Sequence, residues 1–169
     1  MNYYLADPHF GHENIIRLCN RPFSSVEEMN TVMMNNWNRI VRPNDDIFIG
    51  GDFSFRSDKS VDFLDSLNGR KHLIIGNHDA KNLKNKEFRD RFVEIADIIT
   101  VKDNGVRIVI CHYPMVEWNG MYRDAWHFFG HIHNSENNAQ KIMRTIPKAV
   151  NIGADCIGFT PRTAKELMR

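Results

Sequence analysis

Ile47-Phe48-Ile49-Gly50-Gly51-Asp52 is a short apolar run that stops, after two glycines, on a carboxylate. A half-exposed strand alternates polar and apolar residues. A continuous apolar run bounded by glycine reads instead as a strand buried on both faces, as in an α/β sheet. The pattern recurs along the chain. Tyr3-Tyr4-Leu5-Ala6 runs into Asp7-Pro8-His9, and Leu73-Ile74-Ile75 into Gly76-Asn77-His78-Asp79. Ile108-Val109-Ile110-Cys111 runs into His112, and Trp126 to Phe129 into Gly130-His131-Ile132-His133. Open α/β sheets bind ligands at the carboxyl ends of their strands. These stops therefore gather Asp7, His9, Asp52, Asn77, His112, His131 and His133 onto one rim, which a packed core does not require.

The spacing within the stops adds to this. Asp7 and His9, like His131 and His133, are two residues apart, and on extended backbone such side chains share a face. Glycine precedes Asp52, Asn77 and His131, where the chain must turn tightly and bring backbone close to an ion. Carboxylate, imidazole and amide oxygen suit manganese, iron, zinc or nickel, and no thiolate cluster points to a structural zinc. Seven donors are too many for one tetrahedral ion and suit two ions sharing a carboxylate. Two carboxylates against two divalent ions leave a positive site that attracts anionic phosphate. Water on such an ion ionises near a pKa of about 7, and ions roughly 4 Å apart stabilise attacking and leaving oxygens together.

Asp-x-His, Gly-Asp, Gly-Asn-His-Asp, a lone histidine after a strand and Gly-His-x-His, in this order, resemble the five sequence blocks of the calcineurin-like metallophosphoesterases. The blocks span residues 7 to 133, and although each is weak alone, their combination is highly specific. The resemblance implies an α/β chain folded as a four-layer α/β/β/α sandwich, with two mixed β-sheets meeting at the metal rim. It implies that Asp7, His9, Asp52 and His133 hold one ion, that Asp52, Asn77, His112 and His131 hold the other, and that Asp52 bridges them. Two divalent transition-metal ions per chain are expected, with manganese favoured. His78 matches the histidine that contacts phosphate or protonates the leaving oxygen, a role suited to a side chain titrating near neutrality. The family's protein phosphatases extend the second block to an aspartate and an arginine. Here Phe53-Ser54-Phe55-Arg56 follow Asp52, with Phe55 where that aspartate would stand. The orienting partner of His78 is then unassigned, and protein phosphatase activity is disfavoured.

Around the rim, His12 is a candidate second donor to phosphate, against the alternative of a surface residue opening a helix. Arg21 is a candidate phosphate clamp, against an ordinary ion pair. Asn77 would touch substrate as well as metal. His72 and His127 read as structural histidines. The loop from Tyr113 to Arg123 is tied at both ends to ligands, and its Trp118, Tyr122 and Arg123 either stack on a base or cover the core. Lys81, Lys84, Lys86, Arg89 and Arg91 read as a solvated helix face.

The 169 residues, 42% of them hydrophobic, make one domain spanning residues 1 to 169, able to bury about 70% of its unfolded surface. Lys plus Arg number 22 against 21 Asp plus Glu, a formal net charge of +1. That balance gives no electrostatic footprint for nucleic acid or acidic membranes. The start has neither a basic segment nor a long apolar core, and no run reaches the length of a membrane span. Cys19, Cys111 and Cys156 are widely separated, which fits reduced thiols and a cytoplasmic location. Adjacent Cys111 and His112 would point to opposite faces of a strand, which disfavours a thiol protease. No Gly-x-x-x-x-Gly-Lys loop or His-Glu-x-x-His helix is present.

Ser25-Val26-Glu27-Glu28 reads as a capping box opening a helix with Val26, Met29, Met33, Trp37 and Ile40 on its apolar face, ending before Pro43. Further helices are expected at Val61 to Leu67, Leu83 to Phe92, Asn137 to Met143 and after Thr160-Pro161. Asp103-Asn104-Gly105 turns one strand into the next, and Ala149 to Ile152 is one more strand. The sequence therefore predicts a metal-dependent hydrolase of phosphodiesters or small phosphomonoesters. A metal-bridging hydroxide would attack phosphorus while His78 assists the leaving group. The substrate would be a small phosphate ester or nucleotide, with no membrane and no obligate protein partner. The alternatives are an inert metal-binding scaffold that binds a protein, and a nuclease.

Overall fold

The computed structural model describes residues 1–55 and 58–169, so Arg56 lies outside the described residues. Among the described residues two four-stranded sheets are formed. The first runs β1 (Asn2–Leu5), β2 (Asp46–Ile49), β3 (Arg70–Ile74) and β4 (Phe92–Ala96), all parallel. The second runs β5 (Ile98–Asp103), β6 (Val106–Cys111), β7 (Trp126–Phe129) and β8 (Ala149–Asn151). In it the β5/β6 pair is antiparallel and the others are parallel. The second sheet is thus mixed, as expected, whereas the first is parallel throughout.

Alternating side chains assign the layers. Leu5, Ile47, Ile49 and Leu73 pack with Met29, Met33, Trp37, Phe63 and Leu64, which lie on α2 (Val26–Ile40) and α3 (Ser60–Ser66). Their neighbours Tyr4, Phe48 and Ile74 point the other way, onto Ile99, Ile108, Ile110 and Phe128 of the second sheet. The outer face of the second sheet offers Val109 to Trp118 and Ala125, and Phe129 to Ile132 and Met143. The carboxyl-terminal halves of β1, β2, β3, β6 and β7 are largely buried, which is why they read as unbroken apolar runs, whereas β4 and β5 keep exposed residues. The result is the expected α/β/β/α sandwich. At its rim the two sheets are stitched by backbone bonds, Ala6 N–H to Ile152 O at 2.8 Å and Ala154 N–H to Ala6 O at 2.8 Å.

The helix starts differ in detail from the sequence reading. Ser25 caps α2 by accepting from Glu28 N–H at 3.1 Å, but the Glu28 carboxylate accepts from Ser24 N–H at 2.7 Å rather than from Ser25. The reciprocal bond of a capping box is displaced by one residue. The helix expected from Leu83 to Phe92 breaks into a 3-10 turn (Asn82–Lys84) and α4 (Lys86–Arg89), and Phe92 opens β4. Glu13–Leu18 is α1, Asn138–Met143 is α5 and Ala164–Leu167 is α6. Thr163 caps α6 with a complete capping box, so Thr160 and Pro161 precede the helix instead of starting it. No helix among the described residues is long and apolar enough to cross a membrane.

Candidate metal centre

Each of the five apolar runs delivers its polar stop to the carboxyl-terminal edge of a strand, but not by the expected geometry. Asp7, His9, Asp52, His131 and His133 all have left-handed backbone, with φ of 54°, 53°, 53°, 68° and 49°. The pairs Asp7/His9 and His131/His133 converge because the chain coils between them, not because extended backbone alternates. Left-handed conformation costs a non-glycine residue about 1 kcal/mol or more, and such strain collects at functional sites. Backbone bonds hold it in place: Asp7 N–H donates to Gly51 O at 3.0 Å, and His9 N–H to Asp52 O at 3.1 Å. Packing fixes two of the preceding glycines. A Cβ on Gly76 would lie 2.3 Å from Asp52 Oδ1, and one on Gly130 would lie 2.4 Å from Asp7 Oδ2.

The buried donors form two groups of atoms within 4.8 Å of one another, Asp7 with His9 and His133, and Asp7 with Asp52 and His112. Asp52 Oδ2 stands 3.6 Å from both His9 Nε2 and His112 Nε2 and 3.9 Å from His78 Nε2. His112 Nε2 meets Asn77 Oδ1 at 3.0 Å, and its other nitrogen meets Gly50 O at 2.8 Å. His131 lies outside the two tight groups. Its N–H donates to Asp7 Oδ2 at 2.8 Å, and its ring sits 5.1 Å from the ring of His112. Asp7 Oδ1 and His9 Nε2 are buried with no hydrogen-bond partner. Orphaned buried polar atoms of this kind are costly. Two of them among carboxylates and imidazoles fit a divalent metal ion. Burial, with Asp52 and Asp155 nearby, pushes the Asp7 carboxyl up to about 8, while His133 and the His131 N–H pull the other way. A bound cation would relieve that penalty.

Around this cluster the aromatic residues explain what replaces the missing aspartate. The Phe55 ring stacks on His12 at 4.0 Å and meets His78 edge-on at 4.9 Å. His78 donates its backbone N–H to Asp52 Oδ1 at 2.8 Å, and its side chain is 37% exposed, leaving the imidazole open to solvent. His12 Nδ1 lies 3.4 Å from His9 Nδ1, so His12 backs a candidate ligand. Burial, together with His78 and Arg21, lowers the His12 imidazole to about 4.

Arg21 does not occupy the phosphate-clamp position. Its side chain is 0% exposed. Nε donates to Asp155 Oδ1 at 2.7 Å, Nη1 to Pro8 O at 2.9 Å and Nη2 to Asp7 O at 2.8 Å. All its hydrogen bonds are spent on the protein, behind the cluster. Asp155, which the sequence reading passed over, also bonds His133 Nδ1 at 2.7 Å. Burial works against a charged His133, but the Asp155 bond, Cys19 and Asp7 together hold its imidazole up to about 10. Asp79 was also missed as a structural element: its buried carboxylate accepts N–H bonds from Asp52, Phe53 and Gly76 at 2.8–3.0 Å. A signal for Asp155 was present, because Val150-Asn151-Ile152-Gly153-Ala154-Asp155 repeats the strand, glycine, carboxylate pattern.

Other candidates settle into the core or the surface. Trp118 is buried, and its Nε1 donates to Ala125 O at 3.0 Å, whereas Tyr122 is 83% exposed. Tyr113, half exposed, places its ring 4.6 Å from that of His131. His127 is buried between Val109 O and Met115 N–H, and His72 stacks on Phe48, as structural histidines do. Lys86 pairs with Asp90 and Arg91 with Asp65, so the basic face is partly neutralised locally.

No known family model matches the chain. The uncharacterised protein MJ1445 of Methanocaldococcus jannaschii is 32% identical over 162 residues, covering 94% of this chain and 84% of its own length. The solved structure of AQ665, a protein of unknown function from Aquifex aeolicus, superposes with a TM-score of 0.76 at 28% identity, covering 98% of this chain and 96% of that one. An archaeal phosphodiesterase superposes with a TM-score of 0.55 at 15% identity, over 98% of this chain and 94% of that one, a likeness of fold.

Proposed function

We propose that this chain, which belongs to the same family as MJ1445 of Methanocaldococcus jannaschii, is a metal-dependent phosphoesterase of the metallophosphoesterase type. The observation that carries the reading is the pair of partnerless buried atoms, Asp7 Oδ1 and His9 Nε2, beside an Asp52 oxygen equidistant from His9 and His112. Asp7, His9, Asp52 and His133 would hold one divalent ion, and Asp52, Asn77, His112 and His131 a second. Such ions supply Lewis-acid stabilisation of phosphate oxygens and activation of water near neutral pH.

The remaining chemistry falls to the chain. His78 is the group at the rim free to hand a proton to the leaving oxygen or to bind a phosphate oxygen. Its backbone is anchored on Asp52 and its ring is braced edge-on by Phe55. His12 stacks on the face of Phe55, with its ring 6.3 Å from that of His78. A phosphodiester or a small phosphate ester fits a rim over which the described residues place no long insertion. Purified protein supplied with Mn²⁺ is expected to bind transition metal and cleave bis(p-nitrophenyl) phosphate. Asp52→Asn should reduce turnover on the order of a hundredfold or more together with metal content. An Asp52→Asn chain that folds and retains full activity would sink the reading.

A further inference from the structure

We infer that Arg21 and Asp155 are positioning residues that preassemble one half of the metal centre, the half formed by Asp7, His9 and His133, and so set its metal affinity separately from the other half. This rests on the phosphoesterase reading only in that a divalent metal binds. His133 Nδ1 is committed to Asp155 Oδ2 at 2.7 Å. That leaves Nε2 as the nitrogen available to the group shared with Asp7 and His9. A carboxylate behind a metal-binding histidine fixes both the ring's orientation and the nitrogen that ligates.

Asp155 is itself held from the other side. Arg21 Nε donates to Oδ1 at 2.7 Å and Nη2 to Oδ2 at 3.2 Å, and the two side chains are 0% and 1% exposed. The same guanidinium donates to Pro8 O at 2.9 Å and to Asp7 O at 2.8 Å. Those carbonyls belong to the loop whose left-handed residues Asp7 and His9 carry two more candidate ligands. One planar cation therefore ties His133, through Asp155, to the loop bearing Asp7 and His9. Its fork of fixed donors suits that task, and a lysine, a point charge on a flexible stem, could not satisfy all four contacts.

The other half is supported differently. His112 is oriented by a backbone carbonyl, Gly50 O, at 2.8 Å, and His131 is tethered through its own N–H to Asp7 Oδ2. The His112 bond involves neither Arg21 nor Asp155, and the His131 tether meets Arg21 only indirectly, through Asp7, whose carbonyl the guanidinium holds. Cys19 also lies within 4.8 Å of His133 and Asp155. Asp155 already serves Arg21 and His133, so that trio is better explained as packing beside the relay than as a third metal site.

Asp155→Asn leaves the carboxylate shape but offers one acceptor oxygen and an amide N–H₂ to two donors, Arg21 and His133. One of them must then face a donor. Metal-free wild type, Asp155→Asn and Arg21→Lys would be titrated with Mn²⁺ by calorimetry and analysed for bound metal. We expect one ion's binding to weaken by about 10- to 100-fold in both variants, with the other ion held within about threefold of wild type. Variants that keep wild-type binding of every ion, or that lose all ions together, overturn the inference. Wild-type protein that takes up no divalent metal overturns the phosphoesterase reading as well. A second measurement needs no variant and stands if either one misfolds. In Zn²⁺-loaded wild type, ¹⁵N–¹H correlation of the imidazoles should show His133 protonated at Nδ1 and ligating through Nε2, and ligation through Nδ1 overturns the proposal.

Discussion

At Asp79, the backbone N–H groups of Asp52, Phe53 and Gly76 converge on one buried carboxylate. This joins the turn after β2 to the turn after β3, the two turns that deliver Asp52, Asn77 and His78. Burial, reinforced by Asp52, pushes the Asp79 carboxyl up to about 7 despite those three bonds. Asp79→Asn would present an amide N–H₂ to backbone donors, leaving at least one buried N–H without a partner. We expect a loss of about 2–4 kcal/mol of stability, read from urea unfolding of metal-free protein. A loss below about 0.5 kcal/mol would mean that the turns hold without the clamp. The residue scale also marks the limit of what sequence could reveal. The candidate ligands were legible because each follows an apolar run and three of the seven, Asp52, Asn77 and His131, directly follow a glycine. The role of Asp79 was not, because its work is to accept hydrogen bonds from groups that only the fold brings near, and for Asp155 the strand and glycine marked the position but not the bonds it makes.

Among the elements, the parallel pair β6 and β7 buries a titratable group away from the rim. His127 on β7 is fully buried, with Nδ1 against Val109 O at 3.1 Å and Nε2 accepting from Met115 N–H at 3.0 Å. Burial lowers its pKa below the ordinary value of 6.5, although the bond to the Val109 carbonyl opposes this. The unfolded chain therefore takes up the proton first as pH falls. The stability that neutral His127 contributes is complete above about pH 6.5 and declines below it, by up to about 1.4 kcal/mol per pH unit. Unfolding midpoints of metal-free protein at pH 7, 6 and 5 should fall more steeply for wild type than for His127→Gln, which has no proton to gain. Parallel slopes would count against this. The elements also divide by how well sequence predicted them. The stripe of α2 was plain because Met29, Met33 and Trp37 recur at helical spacing and are buried. The segment from Leu83 to Phe92 misled because its charged residues carry helix propensity, while tertiary pairing draws Phe92 into β4 alongside Lys71 of β3. Propensity is a weak prior that packing overrides.

For the whole molecule, the two sheets meet where Ala6 bonds Ile152 and Ala154, so candidate ligands from both sheets share one cluster. A metal ion there would be a crosslink between sheets as well as a reagent. Ligand present at about 100 times its dissociation constant adds about 2.7 kcal/mol, and 1 kcal/mol moves the midpoint of a chain this size by about 2–4 °C. Chelation by EDTA should therefore lower the thermal midpoint by about 5–10 °C and restoring Mn²⁺ should recover it, as followed by circular dichroism. A midpoint indifferent to chelator would argue that no metal links the sheets. The sandwich itself was legible at this scale because strands buried on both faces leave few other ways to layer the chain. The coil of the ligand loops was not, since nothing in Asp-x-His spacing distinguishes extended from left-handed backbone.

That left-handed coil bears on how the protein tolerates change. At Asp7, His9, Asp52, His131 and His133 the side chain suits the site while the backbone would favour glycine or asparagine. Stability and the proposed metal binding therefore pull in opposite directions at these positions. Laboratory selection for heat tolerance alone, carried out without metal, would reward substitutions there and erase the centre while leaving the sandwich intact.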